Sequence, residues 1–536
     1  MKELSMNALF LGGEKITGVA VRERNTRAVL AVANAIRTSY GPLGLDKMCV
    51  DSIGEVIVTN DGATILRNMN VEDPAARIVA DLAHGQDQEV GDGTTGVVLL
   101  ASALVERGTK LIASGLHAST VVSGYKMAFR EAKRFLTEKL ALSTANLGPD
   151  VLANIVKTCI SSKAIKTESN HFCKILVEAV KAIEENGTYK IENINILKKQ
   201  GGSMKDSFVT NGYVLNCSLA STEMAKKIDN PRIICIDFDL QKIRMPLGVN
   251  VVVDDPSKLE DIRKREMEIT RSRVKKILDS GANVILSTRG IDDMCVKQIM
   301  ESGAVAVRRV LKKDLDVIAQ ATGTDVLASL ADLDGEERIK RLGVADSLVV
   351  QSIGDRDAIF INSERKKMAS LVLRGANEQL LDEMERSVHD ALCVLKRTLE
   401  SKSILPAGGA VEAALSIFLD NFASTISSKE FVAIHNYAEA LLELPKTIAV
   451  NAGLDANELV AQLMSIYKDS SVSRVFEYGI DVTKGIVQNN IEAGVIEPAM
   501  IKIKSIRSAT EAAISILRID EIVTIEEKPK PEREMC

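Results

Sequence analysis

The sequence predicts a multidomain α/β protein, and three observations carry that reading. At 536 residues the chain is longer than one hydrophobic core accommodates, and about 150 residues per domain gives three or four units. Both ends carry Ala-rich apolar residues at helical spacing, over residues 19–40 and 97–140 and again over 410–470 and 505–518. The middle instead holds short β-branched runs, "RIICIDFDL", "GVNVVVDD", "NVILST" and "AVAVRRV", separated by helical stretches such as "PSKLEDIRKREMEITRSRVKKILDSG".

Two further segments, "MKDSFVTNGYVLNCS" and "DAIFINSERKKMASLVLRGAN", read as strands flanking that middle part. They can pair where the chain leaves the helical body and where it returns, which nests one domain inside another. The last residues, "EEKPKPEREMC", are charged and proline-containing, a composition that predicts disorder.

Composition excludes several functions. A net charge of −5 and a pI near 5.8 give no electrostatic basis for binding nucleic acid or an anionic membrane. With 3% aromatic residues and no Trp, base-stacking platforms are not expected. Eight cysteines without a C-x-x-C pattern, beside five histidines, argue against a zinc or disulfide framework and for a reducing compartment. The longest strongly apolar run, "GVVLLASALV", is about half a membrane span, and the first residues lack the apolar core of a signal peptide. The expectation is a cytoplasmic protein with neither a nucleic-acid nor a membrane partner.

The most informative short stretch is "EVGDGTTGVVLL", where Gly91, Gly93 and Gly96 are spaced G-x-G-x-x-G ahead of an apolar helix expected from Val97. A dinucleotide fold needs a strand before these glycines and an acid about 20 residues after them. The preceding "DLAHGQDQEV" is polar, and the acids that follow, Glu106 and Glu131, stand at other distances. What remains is a tight turn whose N–H groups open on a helix N-terminus, a place suited to an anion. Asp92 inside such a turn repels phosphate unless a cation such as Mg²⁺ bridges the two. A plain glycine turn with Thr94 or Thr95 as helix N-cap stays open at this point.

Other glycine motifs accompany it. "SYGPLGLDKM" bends the chain after a helix, "VTNDGATIL" carries a hairpin or turn signal at Asn60-Asp61-Gly62, and "LPAGGAVEAALSIF" opens an Ala-rich helix with Gly408 and Gly409. No G-x-x-x-x-G-K-[ST] occurs, which removes P-loop NTPases. In "NEQLLDEMERSVHDALCVLKRTL" the apolar positions form one stripe and Asp390 lies about 200° from Val388, off that stripe.

Taken in order, G-P-L-G-L-D-K-M, T-N-D-G-A-T-I-L, G-D-G-T-T, L-R-G-A-N and G-G-A-V-E-A-A resemble the group II chaperonins from end to end. Stretches such as "GVNVVVDDPSKLEDIRKRE" and "EMERSVHDALCVLKR" are similar to the eukaryotic cytosolic branch. The resemblance implies a chaperonin fold with three nested domains. These are a mainly helical equatorial ATPase domain (1–142 and 400–536), a small intermediate hinge domain (143–210 and 365–399), and an α/β apical domain (211–364) with a helical protrusion as lid.

It also implies an ATP-dependent protein-folding subunit in a double-ring hetero-oligomer of paralogous subunits, closing over unfolded clients such as actin and tubulin. The implied cofactors are ATP/ADP and Mg²⁺, with K⁺ as a further cation. Carried over residue by residue, Tyr40, Gly41 and Pro42 line the nucleotide, and Gly93, Thr94, Thr95 and Gly96 cradle phosphates. Asp92 holds Mg²⁺, Ser162 and Lys163 approach the phosphate end, Gly408 and Gly409 lie on the ribose side, and Glu497 meets the ribose hydroxyls. Asp61 and Asp390 carry hydrolysis.

Two departures accompany the match, Ala407 where the family has a third glycine and Gly96 where it has Ser or Thr. The Ala407 methyl is expected to crowd its loop, and Gly96 lacks a hydroxyl donor. Residues 290–303 are expected to form an apical helix that offers Met294, Val296, Lys297 and Met300 to clients, and residues 244–275 the lid. The rival functions are a metabolic phosphotransferase and a scaffold that holds nucleotide without hydrolysing it.

Overall fold

The computed structural model describes residues 15–523 apart from 51, 145–149, 242–255, 331–338, 340, 355, 364–366 and 469–474. The chain forms two compact units, one from residues 1–173 and 386–536 and the other from residues 174–385.

The first unit is helical and is built from both halves of the sequence. Its centre is the helix Thr94–Ala113, in which every residue from Thr94 to Val105 is buried. That is the behaviour of a helix apolar on all sides. Helices Val19–Arg37, Pro74–Val90, Ala118–Phe135, Ala410–Ser424, Glu430–Leu441 and Ala499–Leu517 contribute to the same core. Tyr125 and Tyr437 meet edge to face at 5.4 Å, and each hydroxyl finds a buried partner, Leu104 O and Thr510 Oγ1. The expected helix over 97–140 is interrupted at Ser114–His117, and His117 caps the second segment by accepting from Ser119 N. Strand Lys15–Thr17 pairs antiparallel with Glu521–Val523.

In the second unit, strands Val305–Val307, Val284–Ser287, Arg232–Ile236 and Val326–Leu327 form a parallel sheet, with Gly343–Val344 added antiparallel. Helices Pro256–Asp279, Asp293–Glu301 and Lys312–Thr322 alternate with these strands, as the β-branched runs predict. The flanking segments pair as expected: Phe208–Asn211 lies against Ala369–Gly375, and Tyr213–Leu215 against Arg356–Asn362. The run "GVNVVVDD", and with it the extended start of the expected lid, lies outside the described residues. Among the described residues no helix is long and apolar enough to cross a membrane.

Candidate functional site

The site begins with two helix ends. Helix Pro74–Val90 stops at Gly91 in the left-handed conformation, and the next helix starts at Thr94 with Gly93, also left-handed, as its N-cap. The helix thus begins three residues before the expected Val97, and neither threonine is the cap. Gly93 N donates to Asp92 Oδ1 at 2.7 Å. Among the described residues nothing accepts the N–H groups of Thr94, Thr95 and Gly96. The second helix, Ala410–Ser424, repeats the arrangement with Gly409 as a left-handed N-cap that lacks a side-chain cap. Such ends concentrate donors and positive dipole, which suits phosphate.

Asn60-Asp61-Gly62 is not a hairpin turn. The hairpin pairs Lys47–Val50 with Val56–Thr59, and Asp61 instead caps helix Gly62–Asn68. Its carboxylate accepts from Ala63 N (3.3 Å), Thr64 N (2.8 Å), Thr64 Oγ1 (2.7 Å) and Thr94 Oγ1 (2.9 Å). Despite the opposing effect of burial, these bonds with Thr64 and Thr94, aided by Lys163, hold it below the usual carboxylate range. Four donors fill the acceptor sites of one carboxylate, so in this arrangement Asp61 ties the phosphate-type turn to the neighbouring helix.

Every residue assigned to nucleotide, metal or hydrolysis from the sequence lines one cavity of about 730 Å³ in the first unit: Tyr40, Gly41, Pro42, Asp61, Asp92, Gly93, Thr94, Thr95, Gly96, Ser162, Lys163, Asp390, Gly408, Gly409 and Glu497. Asp390 is buried, and Lys163 donates to its Oδ2, so it is not a solvated helix residue. Gly91 permits this, because a Cβ there would meet Cys393 Cβ at 2.5 Å and block the helix Glu378–Ser401. Burial opposes the Lys163 charge, but Asp390 and Asp92 outweigh it and keep the ammonium well above its ordinary range. Burial, with Asp390 adding to it, pushes the Asp92 carboxyl up, while Lys163 and the Gly93 N–H pull it down.

This donor set fits Mg²⁺ held jointly with a substrate. Among the described residues no three His, Cys, Asp or Glu converge on a metal. Mg²⁺ commonly takes one or two carboxylates and completes its shell with phosphate oxygens and water. Asp61, Asp92 and Asp390 are among the carboxylates that line the cavity with the open N–H groups, and a polyphosphate there needs a cation between.

Sequence reasoning missed a charged floor. Lys502 Nζ lies 2.6 Å from Glu412 Oε1 and 3.3 Å from Glu497 Oε1, all of them within helical or strand segments of alternating apolar character. Burial raises the Glu497 carboxyl to about 7, with Lys502 opposing and Glu412 adding. Burial also pushes the Tyr40 phenol up. Asn60 was missed too: its Nδ2 is buried without a partner and the residue lines the cavity.

The two departures acquire a physical setting. A Cβ on Gly96 would come within 3.2 Å of Tyr40 Cε2, so the ring occupies the space a larger residue would take. Ala407 is buried, its N donating to Val495 O (3.0 Å) and its carbonyl accepting from Asn490 Nδ2 (2.8 Å). In the second unit, helix Asp293–Glu301 forms inside the expected 290–303. Met294 and Lys297 are exposed and Met300 is half-buried, but Val296 is in the core and cannot be offered to a client.

The chain is similar to known proteins over most of its length. The profile of the TCP-1/cpn60 chaperonin family matches residues 32–527. T-complex protein 1 subunit alpha of Encephalitozoon cuniculi is 58% identical over 533 residues, covering 98% of each chain. The protein of the same name from Dictyostelium discoideum is 49% identical over 533 residues, 97% of each. A thermosome subunit of Pyrococcus horikoshii is 36% identical over 517 residues, covering 96% of this chain and 92% of the relative.

Proposed function

The chain belongs to the TCP-1/cpn60 chaperonin family, and from that premise we propose that it is an ATP-hydrolysing subunit of a multi-subunit protein-folding complex. The observation that carries the proposal is the convergence of the glycine turns, Asp92, Lys163 and Asp390 on one cavity with two uncapped helix N-termini.

The N–H groups of Thr94, Thr95 and Gly96 receive the phosphate oxygens, and Gly408 and Gly409 pass close to the ribose side. Glu497 accepts from the ribose hydroxyls. Asp92 holds Mg²⁺, which when bound withdraws charge from the phosphate oxygens. Asp390 orients the attacking water and takes its proton, and its hydrogen bond from Lys163 fixes its position. Asp61 keeps Thr94 in place and through it the turn.

Hydrolysis is coupled to lid closure over non-native proteins, in the equatorial, intermediate and apical division of the chain set out above, and the complex works in the cytoplasm. Assembly is supported by the hairpin Lys47–Thr59. It stands as an isolated two-stranded sheet with Leu45, Met48, Val50 and Ile53 exposed by 69%, 69%, 63% and 89%. An apolar edge of that kind calls for a partner strand. Native mass and ATPase activity of the purified protein test the reading. A large Mg²⁺-dependent ATPase assembly is expected, whereas a monomer that phosphorylates a metabolite overturns it.

A further inference from the structure

A cluster of positive charge in the second unit has no explanation in the reading above. Strands Ile194–Gln200 and Ala369–Gly375 run parallel, and their register sets Lys199 directly beside Arg374. Side chains alternate along a strand, so Lys199 shares a face with Leu197, and Arg374 shares it with Val372. That face packs on strand Arg356–Asn362: Leu197, Val372, Ala358 and Phe360 form one small core. The same alternation turns Arg356 toward the other two cations.

Lys199 is 6% exposed. Its Nζ and the Arg374 Nη1 are buried without hydrogen-bond partners. Among the described residues no carboxylate forms an ion pair with Lys199, Arg356 or Arg374. The next residue shows what an ordinary lysine does here. Lys198, on the opposite face, lies 2.6 Å from Asp382 Oδ1 and 2.7 Å from Glu385 Oε2.

Asp206, across Gly202 from Arg374, has its Oδ2 engaged by Ser203 N at 2.8 Å. Bare backbone leaves room for the guanidinium. A Cβ on Gly202 would lie 3.2 Å from Arg374 Nη2, and one on Gly354 3.4 Å from Nη1. Burial, Arg356 and Arg374 lower the affinity of Lys199 for its proton, while Cys217 and Asp357 oppose them.

Like charges opposite each other in a sheet destabilise it, and a buried cation without a counter-charge costs several kcal/mol. Losing the Lys199 proton would relieve only part of this, because guanidinium does not deprotonate in proteins. A bound anion offsets charge on all three groups. We infer that Lys199, Arg374 and Arg356 form a binding site for a small oxyanion of the phosphate class, separate from the glycine-lined cavity. A planar guanidinium fork beside a point charge matches tetrahedral oxygens, and the depth of Lys199 favours a small free anion.

The test uses the full chain saturated with Mg²⁺ and a non-hydrolysable ATP analogue, which fills the γ-phosphate position, so that added phosphate does not report the other cavity. Inorganic phosphate is titrated by calorimetry at constant ionic strength, with glycerol phosphate as a second arm. Wild type and Lys198→Met should bind phosphate equally, and Lys199→Met and Arg356→Gln should lose at least about tenfold in affinity. Arg356 is exposed, so its variant keeps the core should Lys199→Met fail to fold. Tighter binding of inorganic phosphate identifies the free ion as the occupant, and tighter binding of glycerol phosphate a phosphorylated metabolite. Affinity unchanged in both variants, or no binding to wild type, overturns the inference. These outcomes do not depend on whether the chain hydrolyses ATP.

Discussion

Lys163 and Asp390, 227 residues apart in the chain, meet as a buried ion pair in the wall of the cavity, with side chains 9% and 12% exposed. Little water reaches the pair, and the Asp390 carboxylate helps hold the Lys163 ammonium well above its ordinary range against the effect of burial. The pair joins the segment after helix Val151–Ile160 to the helix that carries Asp390.

Removing the carboxylate charge should therefore separate binding from turnover. Asp390→Asn is expected to bind ATP with little change and to lose hydrolysis by at least about 100-fold. It should also lower stability, since an orphaned buried cation costs about 3–5 kcal/mol. Asp382→Ala, on the same helix but 40% exposed beside Lys198, should cost no more than about 1 kcal/mol and leave turnover intact. Nucleotide recovered from this subunit alone, scored as ATP or ADP, reads the difference. Unchanged conversion to ADP in Asp390→Asn removes Asp390 from the reaction.

Asp92 and Mg²⁺ should behave as one element. Asp92→Ala and chelation of Mg²⁺ from wild type should each weaken ATP binding, and chelation should have no further effect on the variant. A variant that still responds fully to Mg²⁺ would show that Asp92 only caps the turn.

Gly408→Ala should be damaging, because its Cβ would stand 2.5 Å from Asn490 Nδ2 at a φ of +74°. A cost of about 1–3 kcal/mol and a matching loss of nucleotide affinity are expected. Gly96→Ser is the milder case. Its Cβ would meet Tyr40 Cε2 at 3.2 Å, so the added hydroxyl should bring no gain in affinity and about 1 kcal/mol of destabilisation. Melting temperature and ATP titration on the same samples measure both.

Glu497 gives the fold a pH dependence. Its carboxyl is raised by burial from 4.5 to about 7, so between these values the folded chain binds more protons at this site than the unfolded chain. The contribution is complete below about pH 4.5 and is lost as pH rises through 7, up to about 3 kcal/mol in all. Glu497→Gln should flatten the stability profile between pH 5 and 8 relative to wild type. Parallel denaturation profiles for the two proteins would contradict the assignment.

Much of this site was legible in the sequence, and the exceptions have a common cause. Glycine spacing, the acid inside the turn and the Ala-rich runs mark local geometry, and local geometry survives folding. The helix start at Thr94 in place of Val97, and Asp61 as cap in place of hairpin residue, are local misjudgements between turn chemistries that use the same residue types. Burial of Asp390 was not legible, because it depends on the missing Cβ of Gly91, a residue about 300 positions away along the chain. Glu412 and Lys502 read as charges on amphipathic helices, and only their meeting at 2.6 Å makes them a floor. Lys199 reads as the polar end of a strand until the pairing register sets it beside Arg374.

The core of the first unit draws on residues before position 173 and after position 386. During vectorial synthesis the second unit is therefore fully emerged while the first is still half made. Helix Thr94–Ala113, buried from Thr94 to Val105 when folded, waits for the packing partners Glu430–Leu441 and Ala499–Leu517. At about 5–20 residues per second that wait is on the order of tens of seconds. For that interval a nascent chain of this design exposes an apolar helix without its partners, a condition that favours aggregation.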